Sequence, residues 1–388
     1  MAWNWPFPLR AGRDGARLER KEMGGGGFIA FHQGGEARWT RSDYAALARE
    51  GFMRNPVAHR AVRMVAENAA AVPLLLYGEG GEESAHPLLD LLARPNGRQG
   101  GTAFLETLFG HLLIAGNAYL ELLEAGDTRE LHLLRPDRVS VVADARGWPV
   151  ALDHREGSNK RRIGLGEAAH QIALFHPLDD HHGFPPLEAA LMALDTHNAA
   201  SRWNKALLDN SARPSGALVY APKDGGHLSD EQFDRLKEEL AETYGGPNGA
   251  GRPLLLEGGL DWKPMGLSPK DMDFLEARNA ASRDIALAVG VPPMLLGLPG
   301  DNTYANYLEA NRAFFRMTVL PLASRVAREL GGWLGGMWGE ALRLEPDADR
   351  VDGLAAERDA LWARLGAAGF LDENEKREAV GYGPRAAG

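Results

Sequence analysis

The amino-terminal part of the chain shows helical spacing of apolar residues between proline and glycine breaks. After Asn55 and Pro56, apolar residues recur at intervals of three and four until Pro73. Asn55 is a good N-cap and Pro56 suits the first helical position, so a helix is predicted between the two prolines. The same spacing predicts two further helices, over residues 86–92 and 102–116.

Between residues 118 and 175 the pattern changes to a period of about two, which is typical of strands. Turn signals such as Gly126-Asp127 separate the short apolar segments. An earlier strand, over residues 74–77, follows the first helix. The segments that predict strands in the later region are 119–123, 131–134, 139–142 and 172–175.

Two long helices are predicted in the second half of the chain. Pro185 and Pro186 open the first, which runs to about residue 210 and is roughly 37 Å long at ~1.5 Å per residue. The second is predicted over residues 268–289. Its expected core positions are Met272, Leu275, Ala281, Ile285 and Val289.

A β-α-β-β module is predicted between these two helices. Ser229 and Gln232 form a capping-box pattern, which predicts the start of the module's helix. Its expected elements are a strand over 215–220, a helix over 229–244 and strands over 252–257 and 260–265.

The segment after Gly290 is rich in proline, glycine and asparagine, which indicates a loop between two helices. A long helix is predicted from Asn306 to Trp333, and Pro321 interrupts its hydrogen-bond ladder, which favours a bend there. Two short helices are expected near the end of the chain, over 354–365 and 373–379. The whole pattern predicts an α+β protein.

Composition narrows the possible functions. The chain has 388 residues, 44% of them hydrophobic and 25% charged, as expected for a soluble globular protein of two or three domains. It contains no cysteine, which excludes disulfides, thiolate nucleophiles and cysteine-based zinc sites, and fits assembly in a reducing cytoplasm. No signal peptide is expected, because residues 1–20 carry charges but no apolar core. No membrane span is expected, because no segment approaches ~20 consecutive apolar residues.

The formal net charge of −10 argues against a protein that grips nucleic acid. One interpretation is that the chain has no contact with DNA. The other is that it surrounds DNA without holding it, because a repulsive wall lets a polyanion slide. Charge alone favours the first interpretation.

A series of short motifs, in fixed order from about residue 39 to residue 382, resembles the portal proteins of tailed bacteriophages of the HK97 type. Each motif alone is mostly turn chemistry, and the specificity lies in their order. The motifs are Asn55-Pro56-Val57, His86-Pro87-Leu88, Arg94-Pro95-Asn96, Gly116-Asn117-Ala118-Tyr119, Leu134-Arg135-Pro136-Asp137, Gly183-Phe184-Pro185-Pro186, Ala212-Arg213-Pro214-Ser215-Gly216, Leu255-Leu256-Glu257-Gly258-Gly259, Gly290-Val291-Pro292-Pro293 and Thr303-Tyr304-Ala305-Asn306.

The resemblance implies a portal fold with an α/β wing, a long-helix stem, an inserted β-α-β-β clip and a short helical crown. By this analogy the ranges are 1–40 for an N-terminal arm, 41–185 for the wing, 186–211 for the first stem helix, 212–267 for the clip, 268–296 for the second stem helix, 297–306 for the tunnel loop, 307–344 for the tunnel-backing helix and wing, and 345–388 for the crown.

The resemblance also implies a function. About twelve copies would close into a ring at one capsid vertex by head-to-tail contacts. The ring would pass double-stranded DNA during packaging and ejection. Its other partners would be the large terminase subunit, the head–tail adaptor and the major capsid protein, with no membrane and no cofactor. The particle would be a phage, a prophage or a gene transfer agent, assembled in the bacterial cytoplasm.

Three sets of candidate residues follow from the analogy, and none of them is catalytic. The tunnel-loop candidates for contact with DNA are Leu298, Pro299, Gly300, Asp301, Asn302, Thr303 and Tyr304. The candidates on the stem that would face the channel are Lys270, Arg278 and Arg283. The candidates on the clip that would face the adaptor or terminase are Asp230, Arg235, Glu238 and Glu242.

Other interpretations of individual residues stay open. Arg278 and Arg283 either touch phosphates or pair with carboxylates of a neighbouring helix, and ion pairing is the commoner case. Trp333 and Trp338 are expected in a core or a subunit interface rather than as base-stacking platforms. The glycine-rich stretches lack the Lys-Ser/Thr of a phosphate-binding loop, so nucleotide binding is not expected.

Two alternative functions remain at this stage. His176-Pro177-Leu178-Asp179-Asp180-His181-His182 contains metal-ligand residue types and would serve a metal-dependent hydrolase, although its spacing matches no standard metal site. The second alternative is another structural protein of the head–tail junction, which would be expected to lack two long helices around an inserted module.

Overall fold

The computed structural model describes residues 39–126, 128–209, 216–220, 229, 231–232, 234–235, 260–264, 274–300 and 303–380. Several expectations fall outside these residues. They are the arm up to residue 38, the strand over 252–257, the core position Met272 and the site candidates Asp230, Glu238, Glu242, Lys270, Asp301 and Asn302.

The described chain contains both α-helices and strands. The α-helices are Tyr44–Ala46 (α1), Pro56–Ala71 (α2), Pro87–Ala93 (α3), Gly101–Ala115 (α4), Pro186–Ala189 (α5), Leu191–Asp209 (α6), Phe274–Val289 (α7), Tyr304–Phe314 (α8), Leu320–Gly335 (α9), Ala355–Ala367 (α10) and Glu373–Ala379 (α11). The strands are Leu74–Gly78 (β1), Gly81–Glu83 (β2), Asn117–Ala125 (β3), Thr128–Leu134 (β4), Val139–Ala143 (β5), Pro149–Glu156 (β6), Asn159–Gly164 (β7), Ala169–Ala173 (β8), Gly216–Tyr220 (β9), Leu260–Pro264 (β10) and Arg343–Pro346 (β11). The mixture confirms the predicted α+β class.

The chain divides into two compact units, one of Met1–Glu36 with Asn204–Met272 and the other of Ala37–Trp203 with Asp273–Gly388. In the described part of the first unit, β9 and β10 pair antiparallel, and they match the strands predicted over 215–220 and 260–265. The backbone N–H of Gln232 donates to the Ser229 hydroxyl at 3.2 Å, and the Ser229 N–H donates to Gln232 Oε1 at 3.0 Å. This reciprocal pair confirms the predicted capping box.

The core of the second unit forms around α2, which packs against α4 and α7. The side chain of Asn55 caps α2, because its Oδ1 accepts the backbone N–H groups of Val57 and Ala58, each at 3.0 Å. Pro56 occupies the first turn, where no N–H is needed. The predicted start of this helix is therefore confirmed in its atomic detail.

The second unit contains three small antiparallel sheets among the described residues. Their strand orders are β11-β1-β2, β4-β3-β8 and β5-β6-β7. β1 pairs with β11, so a strand at residues 343–346 completes a sheet that begins at residue 74. The α4 helix ends at Gly116, whose φ of 70° allows the tight turn into β3.

Strands β6 and β7 were not predicted. They lie between two predicted strands, and ion pairs hold many of their charged residues. Asp153 on β6, 6% exposed, accepts from Lys160 Nζ and Arg162 Nε at 2.8 Å each, and Arg161 pairs with Glu121 on β3. The π-helical turn at Leu47–Met53 was also missed.

The predicted helix over 186–210 is wrong in one respect, because it is two helices. Ala190, with φ −94° and ψ 10°, separates α5 from α6. In α7, the predicted core positions Ala281, Ile285 and Val289 are buried. The prediction for Leu275 is wrong, since 67% of its surface is exposed; it lies at the amino-terminal end of α7.

The helix predicted over 306–333 is longer and interrupted. α8 begins at Tyr304, a π-helical segment occupies Phe315–Val319, and α9 continues to Gly335. The widened turn ends at Val319, two residues before Pro321, which has no N–H to donate to the preceding turn. Both predicted short helices near the end, α10 and α11, are present. None of the helices in the described segments combines the length and apolarity needed to cross a bilayer.

Candidate functional site

The end of α7 is fixed by a turn at Gly290. This glycine has φ 78°, a left-handed conformation that favours glycine. Its carbonyl accepts the hydroxyl of Thr318 at 2.6 Å, and the Val291 N–H donates to the Ala286 carbonyl at 2.8 Å. The chain therefore leaves the helix in a defined direction.

A short 3₁₀ helix, Pro293–Leu296, positions the start of the predicted tunnel loop. Gly297 follows with φ 72°, and its N–H donates to the Met294 carbonyl at 3.1 Å. The Leu298 N–H donates to the Pro293 carbonyl at 3.2 Å. These two bonds hold the first two residues of the loop against the 3₁₀ helix.

The end of the predicted loop is fixed by an N-cap. The Thr303 hydroxyl accepts from the Asn306 N–H at 3.2 Å, and the Thr303 carbonyl accepts from the Tyr307 N–H at 3.0 Å. Tyr304 is therefore the first helical residue, and the predicted loop boundary of 297–306 is three residues too long at its end. The Tyr304 side chain remains 79% exposed.

Arg278 and Arg283 both lie on the exposed surface of α7. The guanidinium of Arg283 donates from Nη2 to the carbonyl of Pro299, so it reaches the loop rather than a carboxylate. Among the described residues, neither arginine forms an ion pair, and the expected pairing with a neighbouring helix is absent. Their charges remain available for another partner.

An open cavity of about 500 Å³ lies between the loop and the helices that carry it. Its walls come from the start of α2, the middle of α6, the first half of α7 and the first residues of the loop. The lining residues are Pro56, Val57, His197, Ser201, Leu275, Arg278, Asn279, Ser282, Gly297, Leu298 and Pro299.

A buried polar network supports one wall of this cavity. Asn55 Nδ2 donates to His197 Nδ1 at 3.1 Å and to Asn198 Oδ1 at 3.0 Å, and Asn198 Nδ2 donates to the Glu50 carbonyl at 2.9 Å. Burial lowers the pKa of His197, and the positive charge of Arg278 lowers it further. The neutral imidazole therefore accepts the Asn55 hydrogen bond at neutral pH.

The histidine-rich segment 176–182 forms a structural turn. Asp179 Oδ1 accepts the backbone N–H groups of His181 and His182 at 2.8 and 3.0 Å, and its Oδ2 lies 3.1 Å from His182 Nδ1. These bonds lower the pKa of Asp179, with the His181 N–H as the largest cause. The Asp179 carboxylate is thus occupied by contacts within the turn.

No group of three metal-ligating side chains occurs anywhere in the described ranges. A second cavity, of about 640 Å³, includes His176, His182 and Glu188 in its lining, and burial raises the pKa of Glu188. His181 Nδ1 is buried without a hydrogen-bond partner, so it is not held in position for a metal. The arrangement gives the hydrolase interpretation no support.

The two tryptophans pack inside the fold, as predicted. Trp333 is 8% exposed, donates from Nε1 to the Gly166 carbonyl at 2.8 Å and stacks on His170 with ring centres 5.1 Å apart. Trp338 meets His86 edge to face, and the Arg129 guanidinium lies 4.6 Å from its ring centre. Neither ring is presented as a platform for bases.

Of the clip candidates, the described one is Arg235, which is helical and exposed. The sequence pointed to both Arg283 and Pro299 but not to the contact between them, and it missed His197 and Thr318 altogether. These contacts join residues 16 or more positions apart, and no local pattern marks them.

Comparison with known proteins gives a consistent result. Residues 56–381 match the family described as phage portal protein. The chain is 39% identical over 339 residues to an uncharacterized protein of Rickettsia bellii, covering 86% of this chain and 88% of that one. It is 25% identical over 334 residues to the portal protein of Enterobacteria phage HK97, covering 82% and 76%.

Solved structures agree in fold. A chain in the neck of an empty gene transfer agent (GTA) particle, computed with C6 symmetry, is 54% identical with a TM-score of 0.71, and the match covers 90% of this chain and 96% of that chain. An HK97 family phage portal protein from Corynebacterium diphtheriae has a TM-score of 0.59 over 84% of this chain and 99% of that one; at 18% identity, this likeness concerns the fold alone.

Proposed function

Because the chain belongs to the phage portal protein family, we infer that it is the portal of a capsid or phage-like particle. The observation that carries this conclusion is the family match over residues 56–381. Copies of the chain would form a closed ring at one vertex, and double-stranded DNA would pass through it during packaging and ejection. The role is structural, and it needs no catalytic residue.

The particle is proposed to be a gene transfer agent or a related phage-like particle. The identity of 53% to a chain in the neck of a native GTA particle, computed with C12 symmetry, supports both the location and a ring of about twelve copies. At −10 per chain, such a ring carries a formal charge of about −120. A wall of that charge would repel the duplex and let it slide.

Three regions are proposed to meet the partners. The residues of the tunnel loop that the structure describes, Leu298 to Gly300 and Thr303, would lie beside the DNA, with Arg278 and Arg283 on the helix behind them. The predicted clip, residues 212–267, would dock the large terminase subunit and then the head–tail adaptor. The predicted wing would meet the major capsid protein.

The first test is electron microscopy of the purified protein, with the symmetry read from end-on views. A closed ring of about twelve subunits with a central channel is expected. A chain that stays monomeric even with capsid protein and scaffold present would overturn the proposal. A metal-dependent hydrolase would instead show activity in the monomer, and that activity would be lost when His181 and His182 are both replaced.

The second test shortens the loop. Deleting residues 299–302 keeps Thr303, which caps α8, and so leaves the flanking helix intact. Rings should still assemble, but particles should package or retain less DNA. Particles with normal DNA content would refute the assignment of the loop to the channel.

A further inference from the structure

Arg283 connects α7 to the exposed part of the loop. Its Nη2 donates to the Pro299 carbonyl, and a Cβ built on Gly300 would lie 3.8 Å from the same nitrogen. The hydrogen bonds of Gly297, Leu298 and Thr303 hold the two ends of the loop. Between these two ends, the hydrogen bond from Arg283 attaches the loop to α7 among the described residues.

This attachment is exchangeable. Both Arg283 and Pro299 are exposed, so water competes for the donor and for the acceptor. The acceptor is neutral, whereas a guanidinium binds anionic phosphate oxygens more strongly and in a two-pronged geometry. A phosphate that came within reach would therefore displace the Pro299 carbonyl.

We propose that Arg283 is a latch that DNA opens. Without DNA, its guanidinium holds the loop through Pro299; with DNA, a phosphate takes the guanidinium and the loop is released. The latch rests on the proposed function, because it requires α7 and the loop to line a DNA channel. It also limits sticking, because the carbonyl can recapture the arginine as each phosphate moves on.

Arg278 provides a matched comparison. It lies on the same helix and is exposed, and among the described residues it forms neither an ion pair nor a hydrogen bond to the loop. Both arginines could attract phosphates equally well. Only the loss of Arg283 should change the motion of the loop.

The test uses a nitroxide label on the assembled ring. The chain contains no cysteine, so Gly300→Cys places one label on each copy. Electron paramagnetic resonance then reports the mobility of the label in three proteins: the labelled protein with both arginines, its Arg283→Ala variant and its Arg278→Ala variant. Each is measured with and without short double-stranded DNA at low salt. Cleavage before Asp301 by an aspartate-directed protease, without DNA, checks the same motion in unlabelled protein.

The latch predicts a specific pattern. Without DNA, Arg283→Ala should raise the label's rotational rate about twofold or more and speed cleavage roughly threefold to tenfold, while Arg278→Ala changes neither. DNA should mobilise the label in the unchanged ring but add nothing in Arg283→Ala. Equal mobility with and without Arg283 would overturn the latch, as would a failure of DNA to mobilise the unchanged loop. Failure to form a ring would instead count against the portal function.

Discussion

The hydroxyl of Thr318 donates to the carbonyl of Gly290 at 2.6 Å, joining the π-helical segment to the end of α7 across 28 residues of chain. Gly290 has φ 78°, and a Cβ built there would lie 2.8 Å from Thr318 Oγ1 and 3.1 Å from its Cγ2. The segment between these residues, which contains the loop and α8, thus starts and returns at one fixed point. The two residues meet so closely that the first must be glycine.

We expect Gly290→Ala to lower the free energy of unfolding by about 2–4 kcal/mol, because it adds left-handed strain to a steric overlap. Thr318→Ala alone should cost about 0.5–1.5 kcal/mol, the net value of one hydrogen bond. The double variant should be more stable than Gly290→Ala, since the overlapping atoms are gone. Urea unfolding measures all three, and simple additivity would contradict the direct contact.

Asn55 should be among the most sensitive polar residues. It caps α2 and donates to His197 and Asn198 while 1% exposed. Asn55→Ala removes the cap and leaves buried groups unpaired, so we expect a loss of about 2–4 kcal/mol. The control is Asp372→Ala, which removes the exposed cap of α11 and should cost about 1 kcal/mol or less. Similar losses for the two variants in urea unfolding would argue against the buried network.

Local signals explain how much of the fold could be predicted. The caps at Asn55 and Ser229 and the glycine turn at Gly116 depend on a few adjacent residues, and the structure contains all three. Strand β7 was not predicted, and the ion-pair partners of its Lys160 and Arg161 lie on other strands, where no local pattern marks them.

The candidate site was less predictable. The position of the loop was evident from its glycine and proline residues, but its anchors depend on tertiary contacts. The pairs Arg283–Pro299 and Thr318–Gly290 bring together residues on different elements, and nothing in the intervening sequence specifies them. The break at Ala190 was equally hidden, since alanine is a good helix former.

His111 should make stability depend on pH. Its Nδ1 is buried without a partner, and burial lowers its pKa from 6.5 to about 4, with the negative charge of Asp137 opposing this and Arg135 adding to it. The unfolded chain therefore binds a proton that the folded one rejects. Stability should be complete above pH 6.5 and should decline as the pH falls to about 4, by up to roughly 3 kcal/mol.

His111→Phe removes this titration while keeping a ring against Tyr44. The measurement is the difference in free energy of unfolding between neutral and mildly acidic pH. The variant should lose less stability on acidification than the unchanged protein, and an identical loss would show that His111 is not the cause. Its stability at neutral pH should be similar or higher, because an unpaired polar atom has been replaced.

The histidine turn separates a structural role from a metal-binding one. Replacing both His181 and His182 with alanine leaves the backbone N–H groups that Asp179 accepts, so the turn should persist. Ring assembly and zinc content should be unchanged by this double substitution. Asp179→Ala removes both acceptor contacts and should lower the free energy of unfolding by about 1–2 kcal/mol. Elemental analysis and urea unfolding of the two variants test the assignment. Zinc that is present in the unchanged protein and lost with the two histidines would establish a metal site. A structural turn is supported if zinc content does not change and Asp179→Ala lowers the free energy of unfolding more than the double histidine substitution does.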